Sequence, residues 1–160
     1  MKEEHLAKAK EVYDLLCRTL EERDWHFDKY EEDLVIKSGI KGDDFPIKFI
    51  IRVDPETQLI TFHSWMPFDT QEDKRVDMAL AVCAANNGLL CGSFDYDITD
   101  GSIDYRFNSS FRDSIIGPDL FEYMILTSAL LIDKYNDKFF MVSKGMITVQ
   151  DFIKAETEGN

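Results

Sequence analysis

The chain has 160 residues, 44% hydrophobic and 12% aromatic, with 31 Asp and Glu against 18 Lys and Arg for a net charge of −13. That length predicts one domain over residues 1–160, able to bury about 70% of its unfolded surface without disulfide or metal staples. An acidic chain without a clustered basic stretch excludes counterion-releasing contact with nucleic acid and is repelled by anionic lipid, so neither nucleic acid nor membrane is an expected partner.

The opening MKEEHLAKAK lacks the apolar core of a signal peptide and implies a cytoplasmic chain. Leu6, Ala9, Tyr13, Leu16 and Leu20 recur at three- and four-residue steps among charged residues, predicting an amphipathic helix that ends near Glu22 to Asp24. Trp25, Phe27 and Tyr30 break that period and read as a short strand. Leu34-Val35-Ile36 begins a sheet that Phe45 to Val53 and Leu59 to Met66 continue, with Asp54-Pro55-Glu56-Thr57 as the turn between the last two. Connections this short make the strands antiparallel, a meander.

Alternation along those strands separates two faces. Ile47, Phe49, Ile51 and Val53 oppose Lys48, Ile50 and Arg52; Ile60, Phe62 and Met66 oppose Leu59, Thr61, His63 and Trp65. The second face mixes cations with Ile50 and Trp65, and in an acidic protein such a strip is a candidate contact surface. The alternative is that a terminal helix covers Ile50 and Trp65 while the basic groups pair with nearby carboxylates.

A second helix is expected from about Thr70, where Thr70-x-x-Asp73 resembles a capping box, with Val76, Ala79, Leu80, Cys83 and Ala84 as its apolar stripe and Gly88 as its stop. It packs on the sheet or on its own symmetry mate. Between Cys91 and Phe107, Phe94, Tyr96 and Ile98 alternate with polar residues, Asp100-Gly101 intervenes, and the alternation resumes with Ile103, Tyr105 and Phe107. This predicts a β-hairpin with an aromatic face inward. Asn108 to Gly117 reads as loop, and Pro118 suits the first turn of a third helix. Phe121, Met124, Ile125, Ser128, Ile132 and Tyr135 form its stripe, while Leu120, Tyr123, Leu126 and Leu130 widen the apolar arc, which implies central burial or dimerisation. Asn136-Asp137 is expected to kink this helix, Gly145 to end it, and Thr148-x-x-Asp151 to cap a last helix carrying Val149, Phe152 and Ile153.

Motifs of catalysis are sparse. His5, His26 and His63 are far apart, without metal-ligand spacing. Asp95-x-Asp97-x-x-Asp100-Gly101 misses the EF-hand pattern, since Thr99 stands at its fifth position and Asp100 where Gly belongs. Cys17, Cys83 and Cys91 form no C-x-x-C pair and read as free, mostly buried thiols. No cofactor is expected.

Asn86-Asn87, Gly92-Ser93-Phe94, Asp100-Gly101, Ile103 and Tyr105-Arg106, followed by a long helix with Asp-Lys-Tyr near its end, resemble the YbjN family, to which a role in bacterial sensory transduction is attributed. The element order also resembles the type III secretion chaperone fold. These resemblances imply an α+β domain, an antiparallel twisted sheet of meander plus hairpin packed against helices in the order α-β(meander)-α-β-β-α-α. They imply a bacterial, cytoplasmic, non-enzymatic regulatory or protein-binding role, with a protein partner or a homodimer. The candidate binding residues are Lys48, Ile50, Arg52, His63, Trp65 and Arg106. A chaperone-like binder of secreted or aggregation-prone polypeptide is one alternative. A small-molecule-binding or enzymatic protein with a pocket near Lys48, Arg52 and His63 is another.

Overall fold

The helical period at the start of the chain folds as expected into α1 (Glu3–Glu22), with Ala9, Val12, Tyr13, Leu16, Cys17 and Leu20 on its buried face. The computed structural model describes residues 3–158, so the expected domain ends at residues 1, 2, 159 and 160 lie outside it. Strands β1 (Phe27–Tyr30), β2 (Val35–Ile40), β3 (Ile47–Asp54) and β4 (Leu59–Trp65) follow as the meander. Strand β3 begins two residues later than Phe45, past Pro46, which has no N–H for a ladder. In the next turn Asp54 Oδ1 accepts from the backbone N–H groups of Glu56 and Thr57 at 2.8 and 3.1 Å.

After a 3-10 turn at Glu72–Lys74 come α2 (Arg75–Asn86), β5 (Ser93–Tyr96), β6 (Ile103–Ser110), α3 (Pro118–Ser143) and α4 (Val149–Glu158). Among the described residues the sheet order is β1-β2-β3-β4-β6-β5, antiparallel throughout. The predicted hairpin forms with Phe94 opposite Tyr105. Its second strand runs on to Ser110, into the expected loop, because Leu59 to Trp65 on β4 offer partners as far as Ser110. Phe94, Ile103, Tyr105 and Phe107 are buried as predicted; Ile98 stands in the turn and is exposed. None of the helices over the described residues is long and apolar enough to cross a membrane.

Several local expectations are corrected. Thr70 does not cap α2: it is buried, and its N–H donates to Gly101 O at 2.8 Å, fastening the chain to the hairpin tip instead. The buried stripe of α2 is Met78, Ala81, Val82 and Ala85, whereas Val76 is 66% and Leu80 49% exposed and Cys83 is exposed. Both stripes have helical spacing, so periodicity cannot rank them. Asn86 selects between them. Its Nδ2 donates to Phe94 O and its Oδ1 accepts from Phe94 N–H, each at 2.8 Å, which turns the Met78 and Val82 side of α2 toward β5.

Asn136-Asp137 does not interrupt α3, which is continuous to Ser143. Its expected stripe is buried, but Tyr123, Leu126 and Leu130 remain exposed, so the wide apolar arc is not centrally buried. Helices α1 and α3 cover the sheet's inner face, α2 lies against β5, and α4 packs on α2 and α3. Phe94, Tyr105, Tyr135, Phe139 and Phe152 make a chain of ring contacts from the hairpin through α3 to α4.

The last helix is capped as expected, with Asp151 N–H donating to Thr148 Oγ1 at 3.1 Å. Its docking rests on Phe152 and on Glu156, which accepts from Tyr135 Oη at 2.7 Å and Lys138 Nζ at 2.9 Å, with Lys134 Nζ at 3.9 Å. Burial pushes the Glu156 carboxyl up, but the hydrogen bonds and charges of Lys138, Tyr135 and Lys134 outweigh it and hold the group below the usual range. A depressed folded value makes this stabilisation complete above the unfolded value of about 4.3 and removes it as pH falls through the folded one. Glu156→Gln is therefore expected to cost about 2 kcal/mol at pH 7 and much less at pH 3. Urea unfolding at the two pH values measures this, and an equal cost at both would contradict the charged role of Glu156.

Candidate functional site

Antiparallel registry places alternate residues of neighbouring strands in rows across one face. On the face turned away from the helices, Asp28, Lys37, Ile50, His63, Arg106 and Ser93 make one such row from β1 to β5. Trp65, Asp104 and Asp95 lie in the adjacent row. Inward neighbours Phe49, Ile51, Ile60, Phe62 and Tyr105 are buried, while Trp65 remains 47% exposed and Ile50 half-buried. The helix packing leaves this outer face bare among the described residues, so the expected covering of Ile50 and Trp65 by a terminal helix does not occur.

Lys37, Lys48, Arg52 and Arg106 share the face with Asp28, Asp54, Asp95 and Asp104, a balance in a molecule of net charge −13. Two of the basic groups are committed. Arg106 Nε lies 2.7 Å from Asp95 Oδ2, a pairing that holds its guanidinium still more firmly charged, and His63 Nε2 lies 3.3 Å from Asp104 Oδ2. The His63 and Trp65 rings are in contact, with centroids 4.4 Å apart. Lys48 and Arg52 are exposed, and neither forms an ion pair among the described residues.

Lys48, Arg52 and His63, expected near one pocket, therefore do not converge on one, and neither does Arg106. Lys48 lines a hollow; Arg52 stands beside Thr61, and His63 and Arg106 are held by aspartates. The hollow is an open trough of about 630 Å³, lined mainly by Phe27, Lys37, Gly39, Lys48, Ile50 and Trp65. Sequence reasoning found Lys48, Ile50 and Trp65 but missed Phe27, Lys37 and Gly39. Their place depends on β1 and β2 being hydrogen-bonded in register beside β3, and the polar-rich 31–44 stretch carries no alternation strong enough to fix that register.

Among the described residues no three His, Cys, Asp or Glu side chains are grouped to hold a metal ion. Asp97 does not work with Asp95: its Oδ1 accepts from Thr99 N–H at 2.8 Å and Thr99 Oγ1 at 2.6 Å, closing the hairpin turn. Those bonds, the hydroxyl first, hold its carboxyl below the usual range. Cys17 is buried, Cys91 is partly buried with its Sγ 3.2 Å from Tyr123 Oη, and Cys83 is exposed, against the expectation of mostly buried thiols.

A family model, YbjN, described as "Putative bacterial sensory transduction regulator", matches residues 13–141, which takes in every strand and stops before α4. Among solved structures the chain is similar to one titled "Crystal structure of YbjN, a putative transcription regulator from E. coli". The two are 13% identical with a TM-score of 0.55, over 79% of this chain and 92% of that one. It is also similar to a chain in the structure of the HopA1–SchA chaperone–effector complex, 8% identical with a TM-score of 0.60, over 82% of this chain and 97% of that one. No curated protein matches. At such identities the likenesses establish fold, and the fold is α+β of the type III secretion chaperone kind, as expected from the order of elements.

Proposed function

The chain belongs to the YbjN family, and on that premise we propose that it is a non-enzymatic regulator that acts by binding a polypeptide segment on the outer face of its sheet. The observation that carries this reading is the bare outer face itself, with a half-exposed Trp65 beside Ile50 and cations gathered in a strongly acidic molecule. Exposed aromatic anchors with Arg nearby are what protein interfaces concentrate, and the unpaired Lys48 and Arg52 favour a partner segment carrying carboxylates. Lys48, Ile50, Arg52 and Trp65 supply direct contacts, while His63 and Arg106, tied to Asp104 and Asp95, hold the face flat and the Trp65 ring in place. A chaperone-like form of the role, holding an unfolded or secreted polypeptide in the cytoplasm, draws support from the fold shared with a chain of the chaperone–effector complex.

Selection of displayed peptides on the intact protein tests the reading. Enriched peptides should combine apolar side chains with Asp or Glu. Trp65→Ala combined with Ile50→Ala should weaken them tenfold or more while lowering stability by no more than about 1 kcal/mol, because both side chains keep water contact in the free protein. Peptides that bind the double variant as well as the parent would place the interaction elsewhere.

A further inference from the structure

Beyond any polypeptide contact, we propose that the trough between β1, β2, β3 and Trp65 is a binding site for a small amphipathic monocarboxylate, an apolar body bearing a single negative charge. Its volume of about 630 Å³ falls within the range of small-ligand sites, roughly 300–1,000 Å³. Ile50 and Trp65 give the trough its apolar wall on the outer face, and Phe27 borders it from a strand position whose side chain packs toward the core. Gly39 keeps the middle open. Its missing side chain is on the outer face, opposite Lys48, and a Cβ there would lie 3.1 Å from Ile47 O and 4.0 Å from Lys48 Cγ. A glycine inside a strand often marks such a close approach.

The polar groups of the trough fix the sign and number of charges. Lys37 has a carboxylate facing it, Asp28, directly opposite on β1, and its ammonium lies 4.4 Å from the Tyr30 ring centroid. Ser38 donates its hydroxyl to His26 O at 2.7 Å. Lys48 is exposed at the trough, stands opposite Gly39 and forms no ion pair among the described residues, which makes it the trough's lysine without a facing carboxylate. An ammonium that meets a carboxylate where water is partly excluded makes a charge-assisted hydrogen bond, about twice as strong as a neutral one. A second negative charge would have to share Lys37 with Asp28, and a cation would meet Lys48.

Decanoate, decanol and decyltrimethylammonium, each below its micelle-forming concentration, separate these cases by titration calorimetry on the full chain. Decanoate should bind, at least tenfold tighter than decanol, with the trimethylammonium weakest. In a two-dimensional NMR spectrum it should move the Trp65 indole N–H and leave that of Trp25. Lys48→Met, which keeps the apolar stem, should erase the preference for decanoate over decanol while decanol binding persists. The proposal is overturned if decanoate does not bind, if decanol binds equally well, or if Lys48→Met leaves the preference intact. None of these readouts uses a peptide, so the site and the polypeptide-binding reading stand or fall separately although they share Ile50 and Trp65.

Discussion

Gly92→Ala is expected to lower stability by about 3–4 kcal/mol, while Gly88→Ala costs only about 1 kcal/mol. Both glycines have positive φ, 71° and 90°, so both substitutions incur the left-handed strain of an L-residue. Space separates them. A Cβ at Gly88 would meet nothing within 4 Å, whereas one at Gly92 would lie 2.5 Å from Tyr105 Cζ, nearer still to its hydroxyl, and 3.1 Å from Arg106 O. Tyr105 cannot retreat. It is fully buried, its ring meets Phe62 and Phe94, and its hydroxyl donates to Cys91 O at 3.1 Å, with burial raising its pKa to about 12 so that it remains a donor. Overpacking against an immobile ring has no inexpensive outlet. Tyr105→Phe removes the clashing oxygen, so the double variant should be more stable than the sum of the single losses predicts, by 1 kcal/mol or more. Urea unfolding of the four variants measures the cycle; equal losses at Gly92 and Gly88 would show that the approach to Tyr105 does not matter.

Phe94→Ala should cost about 3–5 kcal/mol, while Trp65→Ala, which removes a larger side chain, should change stability by no more than about 1 kcal/mol. Phe94 is 2% exposed and meets Tyr105, Tyr135 and Phe139 edge to face with centroids 5.1–5.4 Å apart, so its loss leaves a cavity bounded by three rings on two different elements. Trp65 leans on His63 but faces water and leaves no enclosed void. Thermal unfolding ranks the two. A larger loss from Trp65→Ala would mean that the outer face belongs to the core, against the function proposed for it.

The hairpin, the meander and the inward faces of β3 and β4 were legible because a period of two, punctuated by Asp-Gly and Asp-Pro, has no competing interpretation. Helix α2 was harder. Alanine-rich sequence offers two apolar stripes, and the choice was made by a tertiary bond from Asn86 that no local pattern encodes. Thr70-x-x-Asp73 has the letters of a cap, but the Thr70 N–H was claimed by Gly101, thirty-one positions on. For the candidate site, alternation assigned Lys48, Ile50 and Trp65 to the correct face. It could not reveal that Arg106 and His63 would be held by Asp95 and Asp104, or that Gly39 and Phe27 would border the trough, since those facts are set by the register between strands.

The amide of Asn86 has a further consequence for how copies of this chain can meet. A sheet grows from chain to chain only by presenting a row of unused backbone groups at both ends, and β5 is one end of this sheet. There Asn86 already occupies the N–H and C=O of Phe94, and α2 lies against the strand. With that end stoppered, strand-to-strand joining through β1 can unite two molecules and then has nowhere to continue. Growth of the sheet past a pair of molecules is opposed at Phe94 by the Asn86 amide and by α2 beside it.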